Sequence, residues 1–181
     1  MELRMINEFK KWLIEIQDEA LEVKRIKAAA KGDESKWKSE IWKSPEKNSA
    51  IKSRFQIEGD KRTYKSRPSS ETNAGEWLYD FVWREFDKQG NLLGLKLVME
   101  IEVSDMNEKG IKYDFNKLLQ ADSEHKILVF QLKTENEVVT ALDNFEKSAK
   151  AYRTKINSKF LLCGWSTALN KFMFSDFVTE V

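Results

Sequence analysis

Ile6, Phe9, Leu13, Ile16, Ala20 and Val23 recur at alternating spacings of three and four. That stripe predicts one amphipathic helix from Glu2 to about Ala30. Lys31-Gly32-Asp33 breaks it, and from Glu34 to about Asn73 the chain is polar, with isolated aromatics (Trp37, Trp42, Phe55) and two prolines, Pro45 and Pro68. Short helices and a loop ending at Arg67-Pro68-Ser69-Ser70 are the reading there. After Ala74-Gly75 the period changes to two. Trp77, Tyr79, Phe81 and Trp83 alternate with Leu78, Asp80, Val82 and Arg84, which predicts a strand with one aromatic face. A turn at Gln89-Gly90-Asn91 leads to a second strand with Leu95, Leu97, Met99, Ile101 and Val103 on one face. The pair reads as a hairpin.

Opposed residues of an antiparallel pair point to the same side of a sheet, so the register can be worked out on paper. If paired residue numbers sum to 180, Trp77 meets Val103, Tyr79 meets Ile101, Phe81 meets Met99 and Trp83 meets Leu97. One face is then wholly hydrophobic. On the other, Asp80 lies across from Glu100, with Glu102 diagonal to it and Leu78, Val82 and Val98 beside them.

Further along, residues 112–120 predict a helix, 126–132 a short apolar strand and 137–153 a helix lined by Val138, Ala141, Leu142, Phe145 and Ala149. Two last strands, 159–165 and 171–177, form a hairpin around Thr167-Ala168-Leu169-Asn170. Helices alternating with strands in this order imply an α/β fold, a mixed β-sheet flanked by helices with a long N-terminal helix. Residues 1–30 read as a helix of the core, 31–75 as a basic polar segment and 76–181 as the α/β core, all within one domain.

The chain has 181 residues, 41% hydrophobic and 34% charged, with a formal net charge of +1. That composition excludes a wholly disordered chain. No stretch approaches the roughly 18 uninterrupted apolar residues of a membrane span, and Met1-Glu2-Leu3-Arg4 lacks the apolar run of a signal peptide. A cytoplasmic protein without a membrane partner is expected. The single cysteine, Cys163, rules out an internal disulfide and a CxxC pair. Near-neutrality hides an uneven distribution, because residues 22–67 carry 14 basic and seven acidic side chains while residues 68–181 carry 14 and 18. A basic middle before an acidic remainder suits an enzyme that meets a polyanion through bound cations; a solvated lysine-rich linker is the alternative.

Three carboxylates on one patch of sheet repel one another, and something must compensate. A hard divalent cation does so. Mg²⁺ takes oxygen ligands, typically one or two carboxylates with waters and substrate phosphates. Asp80 and Glu100 are the candidate ligands, with Glu102 a further ligand or the group that takes a proton from an attacking water. A solvent-exposed polar face is the competing explanation.

Asp80, then Glu100-Ile101-Glu102 ending a hydrophobic strand, then Asp114-Phe115-Asn116-Lys117-Leu118-Leu119, then the strand Lys126-Ile127-Leu128-Val129-Phe130, resembles the PD-(D/E)xK superfamily, the restriction-endonuclease-like nucleases. The resemblance covers about residues 76–132, and the rest of the chain is compatible with the αβββαβ core of that family. It implies Mg²⁺ or Mn²⁺ held by Asp80 and Glu100, and hydrolysis of phosphodiester bonds in nucleic acid, DNA in the first instance. The chain departs from the pattern in having Tyr79 where a proline is usual and Glu102 in place of the lysine. Some members carry a glutamate there, and in others the lysine has moved to the neighbouring helix, for which Lys117 is the candidate. Glu76 would be an accessory ligand. Lys61, Arg62, Lys65 and Arg67 lie just before the first strand and would meet the substrate's phosphates without reading its sequence. A catalytically inactive member serving as a binding or assembly module is the alternative. A third reading is an interaction domain whose long first helix docks a partner or a second copy, giving a homodimer.

His125, the only histidine, reads as a surface or edge residue, and Cys163, within an apolar strand, as a small buried hydrophobe. Phosphate-cradling glycine motifs are absent. Trp37 and Trp42 stack on bases or pin their segment to the domain.

Overall fold

The change of period along the chain is realised as a six-stranded mixed sheet between two helical layers, an α/β architecture with a long first helix. The computed structural model describes residues 4–30, 44–68, 78–104 and 106–181. Among them the elements are α1 (Arg4–Ala30), α2 (Ser44–Asp60), β1 (Lys65–Pro68), β2 (Phe81–Phe86), β3 (Leu92–Glu102), α3 (Glu108–Gln120), β4 (Ser123–Leu132), α4 (Glu135–Ala151), β5 (Ser158–Ser166) and β6 (Lys171–Thr179). Spatial order in the sheet follows chain order. β1, β2 and β3 form an antiparallel meander, β3, β4 and β5 run parallel, and β6 returns antiparallel to β5. Parallel neighbours need crossovers, and α3 and α4 supply them. No helix among the described residues is long and apolar enough to cross a membrane.

Each sheet face has its own core. On one, Ile6, Phe9, Leu13 and Ile16 of α1 pack with Ile51 and Phe55 of α2 over Phe81, Trp83, Leu97, Met99, Ile127 and Leu161. On the other, Ile111, Phe115 and Leu118 of α3 and Val138 and Leu142 of α4 cover Val82, Val98, Leu128, Phe130 and Phe160. Both ends of the chain close the first layer. Lys10 pairs with Asp176 of β6, and the Gln17 side chain accepts a hydrogen bond from the Phe172 backbone N–H at 2.8 Å. Cys163 is fully buried, as its strand predicts.

The register expected for the hairpin holds for three pairs, Phe81 with Met99, Val82 with Val98 and Trp83 with Leu97. Beyond them Arg84 pairs with Leu95, so Lys96 is an extra residue on β3. A one-residue slip turns a side chain to the other face. Leu95, expected on the first face, therefore packs against the second core. Phe86 pairs with Leu92 after another shift, and Gly90 closes the turn with a φ of 86°, a conformation that suits glycine. At the other end the ladder begins at Phe81, because Leu78, Tyr79 and Asp80 form a bend. Tyr79 is thereby released from the expected aromatic face and packs against the second core, while Leu78 is 76% exposed. Trp77 lies outside the described residues.

Two elements precede the predicted hairpin. α2 and β1 fall within the basic segment, and α2 is anchored by Ile51 and Phe55, both fully buried. β1 is a four-residue edge strand, Lys65-Ser66-Arg67-Pro68, whose one apolar side chain is the proline ring. α4 starts with a capping box, Thr134 accepting from the Glu137 N–H while the Glu137 carboxylate accepts from the Thr134 N–H.

Gly164 sits beneath α4, where an added Cβ would lie 2.3 Å from Cγ1 of Val138 and 2.9 Å from Phe130. Val138 is fully buried and stiff, and it cannot swing aside. Gly164→Ala is expected to cost about 2–3 kcal/mol of unfolding free energy in a urea titration, the range for overpacking in a filled core. A neutral result would mean that α4 rides loosely on the sheet.

Candidate functional site

The site forms where β3 ends under α3. Past the bulge, Val98 of β3 faces the second core, and Glu100 follows it by two residues on the same face, beside Leu128 of β4. Glu100 is only 1% exposed. Asn107 caps α3, its side chain accepting the Lys109 N–H, and the docking of Ile111, Phe115 and Leu118 fixes the helix's rotation. Asp114 and Lys117, three apart, then share the flank that looks down on Glu100. Lys117 Nζ lies 2.7 Å from Glu100 Oε1 and 3.4 Å from Asp114 Oδ1. The ammonium neutralises the buried oxygen without the alignment of a hydrogen bond, so Oε1 has charge compensation but no hydrogen-bond donor among the described residues.

Burial pushes the Glu100 carboxyl up to about 8; Lys117 opposes the rise, and the charges of Asp80 and Asp114 add to it. Asp114 is also raised, by burial first, with Lys117 opposing and Asp80 and Glu102 adding. Burial acts to lower the Lys117 ammonium, yet Glu100 and Asp114 hold it above its ordinary value. These groups form one electrostatic unit, and a proton at Glu100 alters the hold on Lys117.

Asp80 sits at the rim of the sheet. Its Oδ2 accepts the Ile101 backbone N–H at 2.8 Å, which ties the bend before β2 to the end of β3. From the other side Lys52 of α2 brings Nζ to 3.6 Å from Oδ1. Glu102 Oε1 accepts from both the N–H and the hydroxyl of Ser104, at 3.1 and 2.7 Å. The structure therefore gathers Asp80, Glu100 and Lys117 in one neighbourhood and turns Glu102 toward the following loop. Asp114 and Lys52 join them unforeseen. Asp114 was visible as a carboxylate one turn before Lys117, whereas Lys52 had no local signal, since a helix remote in sequence delivers it. Glu76 lies outside the described residues.

The four basic residues expected to meet phosphate separate into two groups. Lys61 and Arg62 pair with Glu58 at 2.9 and 3.0 Å, and Arg62 also pairs with Glu8 and lies 5.1 Å above the Trp12 ring. Although burial works against it, those bonds hold the Glu58 carboxyl below its ordinary value. Lys65 and Arg67 belong to β1, where Arg67 pairs with Val82 and so shares the sheet face of Glu100. Lys65 Nζ rests 5.1 Å from the Phe86 ring. Trp37 and Trp42 lie outside the described residues.

A divalent cation can be weighed against this donor set. Among the described residues no three His, Cys, Asp or Glu side chains form a group able to hold a metal ion. Oxygen donors from Asp80 and Glu100, one of them buried and without a hydrogen bond, fit a Mg²⁺ or Mn²⁺ that completes its sphere with water and substrate oxygens. They do not fit a cation enclosed by protein alone. No protein-family model, curated protein or solved structure matches the chain, so the reading of this site rests on its own residues.

Proposed function

We propose that the Asp80–Glu100–Lys117 site hydrolyses phosphodiester bonds in nucleic acid, DNA first, with Mg²⁺ or Mn²⁺. The observation that carries the reading is Glu100, a buried carboxylate at the end of a central strand, capped by Lys117 from the next helix. The order of elements supports it, because, apart from the additional helix α2 between α1 and β1, the series α1, β1–β2–β3, α3 and the parallel strand β4 follows the αβββαβ order of the PD-(D/E)xK nucleases. Asp80, just before β2, and Glu100, two residues from the end of β3, are the carboxylates that the resemblance would make metal ligands.

In this mechanism Asp80 and Glu100 hold the cation, which when bound supplies stabilisation of phosphoryl charge and activation of water. Glu100 must give up its proton to serve, so binding releases a proton near neutral pH. Lys117, oriented by Asp114, keeps a positive charge beside the reacting phosphate and orients the attacking water. Arg67, on the same sheet face, contributes phosphate affinity without sequence choice.

Supercoiled plasmid incubated with Mg²⁺ or Mn²⁺ is expected to be nicked by the wild-type protein. Asp80→Ala and Glu100→Ala should slow nicking by about a hundredfold or more. One observation favours a second reading, a binding module on the same fold. Lys52 and Lys117 already compensate Asp80 and Glu100, so the carboxylates do not require a cation for stability. Calorimetry with Mn²⁺ separates the two: no heat of binding, together with DNA retention unchanged by Asp80→Ala, identifies the module.

A further inference from the structure

A second cavity, of about 450 Å³, opens on the opposite sheet face and toward the other end of β3. Its wall includes Arg4 and Glu8 of α1, Arg62, Lys96 of β3, and Glu124 and His125 of β4, with Lys159 of β5 and the rings of Tyr64 and Trp83 completing it. Lys96 precedes Glu100 by four residues, which in a strand is about 13 Å. The cavity is therefore distinct from the carboxylate site.

Three features mark it as a built site. The extra residue in β3 is Lys96 itself, the kind of irregularity that re-aims a side chain. Its carbonyl lies 3.1 Å from Nδ1 of His125. A carbonyl only accepts, so Nδ1 carries the proton, and the neutral ring presents Nε2 as a bare lone pair. That Nε2 is itself buried, as is 92% of the ring, which packs against Phe9, and it has no hydrogen-bond partner among the described residues. The histidine expected at the surface is buried because its strand turns it under α1.

Finally, the wall holds four cations against two carboxylates. Glu124 sits between Lys159 and Lys96 at 3.3 and 3.7 Å, and Glu8 holds Arg62. Lys96 also meets Glu85 at 3.2 Å, and Glu58 behind Arg62 is shared with Arg54 and Lys61. Neither Glu85 nor Glu58 lines the cavity, and the wall keeps a surplus of positive charge.

We propose that this cavity binds a phosphomonoester of mononucleotide size, its phosphate held by Lys96, Lys159 and Arg62 beside the ring of His125. The volume lies within the range of small-ligand pockets. A phosphomonoester carries nearly two negative charges at neutral pH, matching the surplus in the wall.

The single histidine is a built-in reporter, since its ring gives one set of proton resonances. Titration of the full chain with 5′-AMP is expected to shift them and to saturate. Lys96→Gln and Lys159→Gln should each weaken binding about tenfold, whereas Lys147→Gln, on the exposed face of α4, should leave it unchanged. Adenosine should bind far more weakly than 5′-AMP, and inorganic phosphate more weakly as well. No shift with 5′-AMP up to about 10 mM, equal affinity for adenosine, or equal weakening by Lys147→Gln would each overturn the assignment. The Lys159 side chain is 22% exposed, so its variant's fold is checked separately. Thermal denaturation of the same variant checks this.

Discussion

Trp83→Ala is expected to lower the unfolding free energy by about 3–5 kcal/mol, the cost of truncating a buried aromatic to a methyl group. Trp83 is the hub of the first core. Its ring lies 5.7 Å from Phe9, 6.3 Å from Trp12 and 6.0 Å from Phe55, and stacks on Tyr64 at 5.5 Å. The indole N–H also donates to the Phe55 carbonyl at 2.9 Å, deep in the protein. Truncation therefore opens a cavity where α1, α2 and β2 meet and removes a buried hydrogen bond. Trp83→Phe fills most of that space but still loses the indole hydrogen bond, so its loss should fall between wild type and the alanine variant. Urea denaturation with circular dichroism gives all three values. If Trp83→Ala lost less than about 1 kcal/mol, α2 would not be held by this cluster.

The second large effect is a pH dependence carried by Glu100. Its folded value of about 8 exceeds the ordinary carboxylate value of 4.5. Between those limits the folded chain keeps a proton that the unfolded chain has released, and stability falls as pH rises through that window. At about 1.4 kcal/mol for each pH unit of displacement, the whole contribution is on the order of 3–5 kcal/mol. Glu100→Gln has no proton to lose and should become more stable than wild type by pH 8, with the difference shrinking toward pH 5. His125 acts in the opposite sense, because burial lowers its value and stability from that source rises with pH. It is present in both proteins and cancels in the comparison. Parallel stability curves from pH 5 to 9 would show that Glu100 is ionised throughout.

What the sequence revealed follows from how local each signal was. The stripe of α1, the period-two strands and the register of Phe81, Val82 and Trp83 all arise from spacing along a short segment, and all were readable. The bulge at Lys96 was not, because nothing in Leu95-Lys96-Leu97 distinguishes an extra residue from continued alternation. Among residues 50–60 of α2 the buried side chains are Ile51, Phe55 and Glu58, too few apolar positions to set a helical period. β1 has no apolar side chain but Pro68, too little to set a period, and is held by its pairing with β2. At the candidate site the Asp80–Glu100 opposition was a register inference, and both residues reach the same neighbourhood. Lys52 and the pairing of Lys117 with Glu100 depend on how helices pack across the sheet. The repulsion that argued for a cation is thus relieved in part by lysines from two different helices.

The contact between α1 and β6 imposes a timetable on biosynthesis. Gln17 waits for the backbone of Phe172, 155 positions later. At about 5–20 residues per second, the interval is on the order of ten seconds or more. Throughout it, the flank of α1 destined for β6 faces the ribosome's surroundings rather than its own sheet. Refolding of the finished chain, in which both partners are present at once, carries no such delay.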